Sequence, residues 1–114
     1  VSEAVLETIR VNGLEAGYIR PLAFIGLGAM GLYPKDNPVS LAIAAWPWGA
    51  YLGDDGLDRG IRVRVSSYTR HHVNSAMTRA KATGYYMNSI LAKHEAVASG
   101  CDEALLLDAQ GYVA

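Results

Sequence analysis
Apolar and polar positions recur on two different periods along this chain. Over Ser2 to Val11, Val5 and Ile9 share a helical face and Asn12-Gly13 supplies a stop, so a short helix is predicted. Tyr18 to Gly26 predicts a strand, with Pro21 marking an edge or a bulge. Gly26 to Pro38, punctuated by Gly28, Gly31, Pro34 and Pro38, predicts a loop. Val39 to Ala45 has few polar residues and predicts a strand covered on both faces. Ile61 to Ser66 alternates strictly, with Ile61, Val63 and Val65 against Arg62, Arg64 and Ser66, which predicts a half-buried strand. Tyr68 to Thr83 has no clear period. Tyr85 to Ser99 predicts a helix whose apolar stripe is Met87, Ile90, Leu91, His94 and Val97 or Ala98, stopped by Gly100. Ala104 to Leu107 predicts a buried strand, and "DAQG" a turn from which Tyr112 begins a return.

Composition narrows the classes. The chain has 114 residues, 51% of them hydrophobic, which suffices for a core and argues against disorder. A net charge of −1, with no block of like charge, favours neither nucleic acid nor an anionic membrane as partner. No apolar run approaches a membrane span, and no signal peptide is visible. The single cysteine, Cys101, excludes an internal disulfide framework and fits a reducing, cytoplasmic setting. The chain begins without methionine and stops at "GYVA", which reads as the middle of a strand, so a fragment of a longer protein is expected.

"AFIGLGAMGLYP" contains G-x-G-x-x-G at Gly26, Gly28 and Gly31. In a dinucleotide-binding domain those glycines join a strand to a helix whose N-terminus holds the pyrophosphate. Here "LYPKDNP" follows, with two prolines and a turn-forming Asp36-Asn37 pair, and no amphipathic helix can begin there. The acidic residue due about twenty positions on is missing as well, and a tight glycine loop is the better reading.

Lys81 lies in "TRAKATGYY", among small residues and just before the second predicted helix. A lysine in a loop is ordinarily a solvated surface group. The functional alternative is a Schiff-base lysine, because a desolvated amine sheds its proton and attacks a carbonyl such as that of pyridoxal phosphate. Such a site also needs a donor to the ring oxygen, a carboxylate for the pyridine nitrogen, an anion cup and a clamp for the substrate carboxylate. Tyr85 or Tyr86 could supply the donor. Arg20, Arg70, Ser66 and Ser67 are candidates for the cup and clamp, and spacing alone does not choose among them. The segment "WPWGAYLGDDG" is too aromatic for a flexible tether and is expected to line something. Tandem His71-His72 has no further ligand near in sequence, so no metal site is expected.

The blocks "YIRPLAFIG", "AIAAWPWGAYLG", "VSSYTR" and "AKATGYYMNSILAKHEAVASGCDEALLLDAQGYVA" follow one another in the order and spacing of the fold-type IV aminotransferases. Over nearly its whole length the chain most resembles a bacterial branched-chain amino-acid aminotransferase. The resemblance implies an α+β (mixed α/β) two-domain fold, of which residues 1–46 would be the end of the small domain, 47–60 the interdomain segment and 61–114 the start of the large cofactor-binding domain. It implies that Lys81 bonds pyridoxal 5'-phosphate and that Tyr86 hydrogen-bonds the cofactor's ring oxygen. It also implies that Tyr18 and Arg20 help hold the substrate α-carboxylate, and that Trp48 and Tyr51 wall the apolar side-chain pocket. The expected reaction moves an amino group between leucine, isoleucine or valine and 2-oxoglutarate, in a homodimer or larger homo-oligomer.

The family's pyridine-nitrogen glutamate would lie just beyond Ala114 and its phosphate-binding arginine before Val1. By that reading these 114 residues alone are not a competent enzyme. The chain departs from relatives in carrying Thr83-Gly84-Tyr85 where Gly-Gly-Asn is common, and Arg79 where a small residue is common. A D-amino-acid aminotransferase or an aminodeoxychorismate lyase would use the same lysine. A non-catalytic binding fragment and an NAD-binding domain are the readings outside this class.

Overall fold
The computed structural model describes residues 1–49, 51, 53 and 56–114. The chain divides into two compact units, Val1–Tyr51 and Leu52–Ala114.

In the first unit, helix α1 (Ser2–Val11) ends at Asn12, where the Asn12 N–H returns to the Thr8 carbonyl and the Gly13 N–H to that of Arg10. Strands β1 (Tyr18–Ile25) and β2 (Val39–Trp46) pair antiparallel, from Tyr18 opposite Trp46 to Ile25 opposite Val39. Pro21 stands opposite Ile43 in a strand with one neighbour, a setting that tolerates its missing N–H. The expectation that both faces of β2 are covered is not met. Helix α1 packs on β2, yet Val39, Leu41, Ala42 and Ala44 remain exposed. Alternation fails to announce this because an apolar strand looks the same in sequence whether its cover comes from nearby or from afar.

The glycine loop between these strands closes on Asn37. The Asn37 Oδ1 accepts the Ala29 N–H at 3.0 Å, and its Nδ2 donates to the carbonyls of Ala29 (3.1 Å) and Gly26 (3.4 Å). A Cβ on residue 28 would collide with the Asn37 side chain, so glycine is required there by close approach. Bends and a turn follow instead of a helix, until the chain enters β2, and the Asn37 amide takes up the Ala29 N–H and carbonyl. This geometry offers no pyrophosphate cradle.

The second unit opens with the short helix α2 (Gly56–Arg59). Strand β3 (Val63–Val65) runs parallel to β4 (Glu103–Leu105), and helix α3 (Tyr86–Ala98) lies between them in the chain and packs on both. This is a βαβ arrangement. A 3-10 turn, Thr83–Tyr85, leads into α3. Gly100, at φ +75°, ends it: its N–H reaches the Val97 carbonyl at 2.9 Å, and the Cys101 N–H reaches that of Ala96 at 2.9 Å. After β4 the chain turns at Asp108, whose carboxylate accepts the N–H groups of Gln110 and Tyr112 at 2.9 Å, and Leu107 then bridges Val113.

Two apolar faces lie elsewhere than alternation and helical period suggest. On β3 the valines are exposed, while Arg64 and Ser66 face α3 and bond Glu95. On α3 the buried residues are Ala92 (0% exposed) and Ala96 (1%), whereas Met87, Ile90, Leu91 and Val97 of the predicted stripe are exposed. Small side chains let a helix approach two strands closely, so local contact selects the alanine face and leaves the bulkier one largely exposed. No described helix is long and apolar enough to cross a membrane.

Candidate functional site
The residues singled out from sequence form two groups, one in each unit. In the first, strand register does the assembling. Tyr18 at the start of β1 faces Trp46 at the end of β2, with ring centroids 5.1 Å apart. Trp48, two residues on, packs against Tyr18 at 4.6 Å and Trp46 at 5.6 Å, and Tyr51 extends the row at 6.1 Å from Trp48. Arg20, two residues after Tyr18, places its guanidinium carbon 5.2 Å from the Tyr18 ring centre and 5.5 Å from that of Trp46. A cation held on two aromatic faces, with no carboxylate partner among the described residues, keeps donors available to an anion. Trp46 belongs to the aromatic segment expected to line something but was given no role of its own, and the pairing register reveals its place opposite Tyr18. Of the expected interdomain segment 47–60, Ala50, Leu52, Asp54 and Asp55 lie outside the described residues.

In the second unit, Lys81 and Tyr86 line one hollow of about 300 Å³, together with Arg70, Thr78, Arg79 and Ser89. Lys81 is exposed at its mouth. Small neighbours, Ala80 and Ala82, leave its flanks open. Tyr85 lines it too, so the hollow combines an amine, two phenols, two guanidinium groups and two hydroxyls. That set fits a phosphorylated aldehyde of pyridoxal's size: the amine suits the aldehyde, a phenol the ring oxygen, and the cations a phosphate. Arg70 and Thr78 also border a second hollow of about 420 Å³, walled by His71, His72 and Asp108.

The frame around Lys81 is held by α3. The Asn88 amide donates to the Thr69 carbonyl at 3.0 Å, and the Arg70 guanidinium to Ser89 Oγ at 3.1 Å. The Arg70 N–H donates to the Leu107 carbonyl at 2.8 Å. Glu95, which the sequence reading missed, is the hub. Its Oε2 accepts from Ser66 Oγ at 2.6 Å and from the Ser67 N–H at 2.9 Å, and its Oε1 pairs with Arg64 at 3.3 Å. This occupies the Ser66 hydroxyl and the Ser67 N–H with a carboxylate. A glutamate in a helix's last turn, opposite the helix dipole's preference, was the available signal. Among the described residues no group of three His, Cys, Asp or Glu side chains could hold a metal ion.

The hydrogen bond from Ser66, then that from Ser67, hold the Glu95 carboxyl below the usual carboxylate range. A folded-state value below the unfolded one contributes stability that is fully present above the unfolded value and disappears as pH falls through the folded one. In the full-length protein, Glu95→Gln should therefore destabilise at pH 7 and lose its penalty progressively below about pH 4.3, the ordinary unfolded glutamate value. Denaturant midpoints from pH 7 to pH 3 would read this. A penalty independent of pH would mean that the charge on Glu95 contributes nothing.

The chain matches the model of the amino-transferase class IV family over residues 1–114 and belongs to that family. It is 54% identical over 114 residues to a branched-chain-amino-acid aminotransferase of Pseudomonas aeruginosa, a match covering 100% of this chain and 37% of that one. Among solved structures it is similar to the branched-chain aminotransferase of Escherichia coli, with 44% identity, TM-score 0.94, and 98% of this chain and 37% of that one covered. It is also similar to a T.th. branched-chain amino acid aminotransferase complexed with N-(5'-phosphopyridoxyl)-L-glutamate, with 47% identity, TM-score 0.84, and 98% and 35% covered. The chain thus spans a little over a third of the length of the curated relatives it matches. Its fold is the mixed helix and strand fold-type IV architecture.

Proposed function
We propose that this chain is the part of a pyridoxal-phosphate-dependent branched-chain aminotransferase that carries the cofactor-bonding lysine. The observation that carries the reading is the hollow shared by Lys81 and Tyr86, in a chain of the class IV family. The names of its relatives support the branched-chain class. The glutamate adduct of a similar enzyme supports 2-oxoglutarate as amino acceptor.

Pyridoxal phosphate, when bound, supplies an electron sink for the bond broken at the substrate α-carbon. Lys81 would hold the cofactor through Nζ and, once displaced by the substrate amine, carry the α-proton on that same nitrogen. The Tyr86 phenol would donate to the cofactor's ring oxygen. Tyr18 and Arg20 would hold the substrate α-carboxylate, and Trp48 and Tyr51 would wall its aliphatic side chain. Apolar walls separate such side chains by only about 1–3 kcal/mol per methylene, so leucine, isoleucine and valine should all serve. We assign residues 1–46 to the small domain, 47–60 to the interdomain segment and 61–114 to the large domain, and infer a cytoplasmic homo-oligomer.

Steady-state kinetics of the full-length protein with leucine and 2-oxoglutarate should give parallel double-reciprocal lines, because the amino group is parked on the enzyme between two half-reactions. Intersecting lines, or turnover of D-leucine in preference to L-leucine, would reject the assignment.

A further inference from the structure
Residues 77–85 form a closed loop around Lys81. The Ala80 N–H donates to the Met77 carbonyl at 2.9 Å, closing one turn, and the Tyr85 N–H donates to the Ala82 carbonyl at 3.1 Å, closing a second. Lys81 is the single residue between the two turns. A third bond ties the ends together: the Met77 N–H donates to the Tyr85 phenol oxygen at 3.2 Å. Behind it the Tyr85 ring lies against His71, with centroids 5.3 Å apart and planes tilted by 44°. His71 Nε2 is buried with no hydrogen-bond partner among the described residues, so packing on Tyr85 is what the structure offers to hold that ring. The roles of Lys81 and Tyr86 leave Tyr85 unused.

We infer that Tyr85 is a positioning residue for Lys81: its phenol closes the 77–85 loop and so fixes the direction from which Nζ enters the hollow. A backbone that carries a reacting amine between two turns can pivot about that residue unless the ends are joined. The Met77–Tyr85 bond joins them, and the His71 ring braces the joint. The inference rests on Lys81 being the cofactor lysine.

The test compares the full-length wild type with Tyr85→Phe, which keeps the ring and removes only the acceptor. Without cofactor, the Met77 amide should exchange roughly five- to tenfold faster in the variant, the loss of one ordinary hydrogen bond. With pyridoxal phosphate bound, the pH midpoint of the visible absorbance band should move. The kcat should fall at least about tenfold with KM for leucine changed less than about twofold, as expected when a reacting group is misaimed but binding is intact. Unchanged Met77 exchange would overturn the inference. So would faster exchange with the band's midpoint and kcat unmoved, or a change confined to KM. A wild type with no such band would instead defeat the reading of Lys81 itself, whereas a band shared unchanged by wild type and variant would defeat only the role of Tyr85.

Discussion

Replacing Lys81 with alanine in the full-length protein should abolish the visible absorbance that pyridoxal phosphate acquires on bonding the lysine. It should also lower transamination by at least about 10²–10⁴-fold, the usual contribution of a positioned acid–base group. Two functions should be lost together, because in the proposed mechanism one nitrogen would both anchor the cofactor and move the α-proton. Binding itself need not vanish. On the proposed reading Lys81 does not hold the phosphate, so added cofactor should remain retained but spectrally like the free aldehyde. Of the three lysines only Lys81 lines the hollow: Lys35 lies in the glycine-loop connection, and Lys93 pairs with Glu103 at 3.0 Å on α3. A Lys81→Ala protein that keeps both the band and its turnover would move the chemistry to another residue and end the aminotransferase mechanism built on this lysine.

Ala92→Leu should be the most damaging substitution away from the hollow. Ala92 has no exposed surface, and it lies on the helix that packs on β3 and β4. Three added carbons have no space to enter, so the helix must move or its neighbours must leave their rotamers. Overpacking of this kind costs about 1–3 kcal/mol, occasionally more. The displacement also reaches the hollow, because α3 holds residues 66–70 through Asn88, Ser89 and Glu95. Loss of stability should therefore be accompanied by weakened cofactor retention. A denaturation midpoint equal to wild type would show that the contact between α3 and the strands is loose.

The local elements were legible because their signals are local. Residues 2–11 show helical spacing with an Asn-Gly stop, and residues 18–25 and 39–46 are apolar stretches separated by glycine and proline. The helix before Gly100 ends where a left-handed residue is required. Faces were less legible. The alternation of β3 and the stripe on α3 pointed their bulky apolar residues inward, yet the contact between these elements is made by Arg64, Ser66, Ala92, Glu95 and Ala96. Hydrophobic period reports that a face will be covered, not by which neighbour, and here the nearest neighbours choose the small and polar faces.

Sequence by itself determined the family pattern, the types of the longer elements and the failure of the glycine loop as a nucleotide cradle, while the short helix Gly56–Arg59 went unforeseen. Each depends on residue identity within a short window, where sterics and backbone geometry act directly. Tertiary structure alone decided that Tyr18 meets Trp46 and Trp48, that Asn37 fills the glycine loop, that Glu95 claims Ser66 and Ser67, and that Tyr85 reaches back to Met77. These contacts join residues that chain spacing alone does not pair. Strand register, helix rotation and loop closure set them, and those follow from the free energy of the folded chain as a whole.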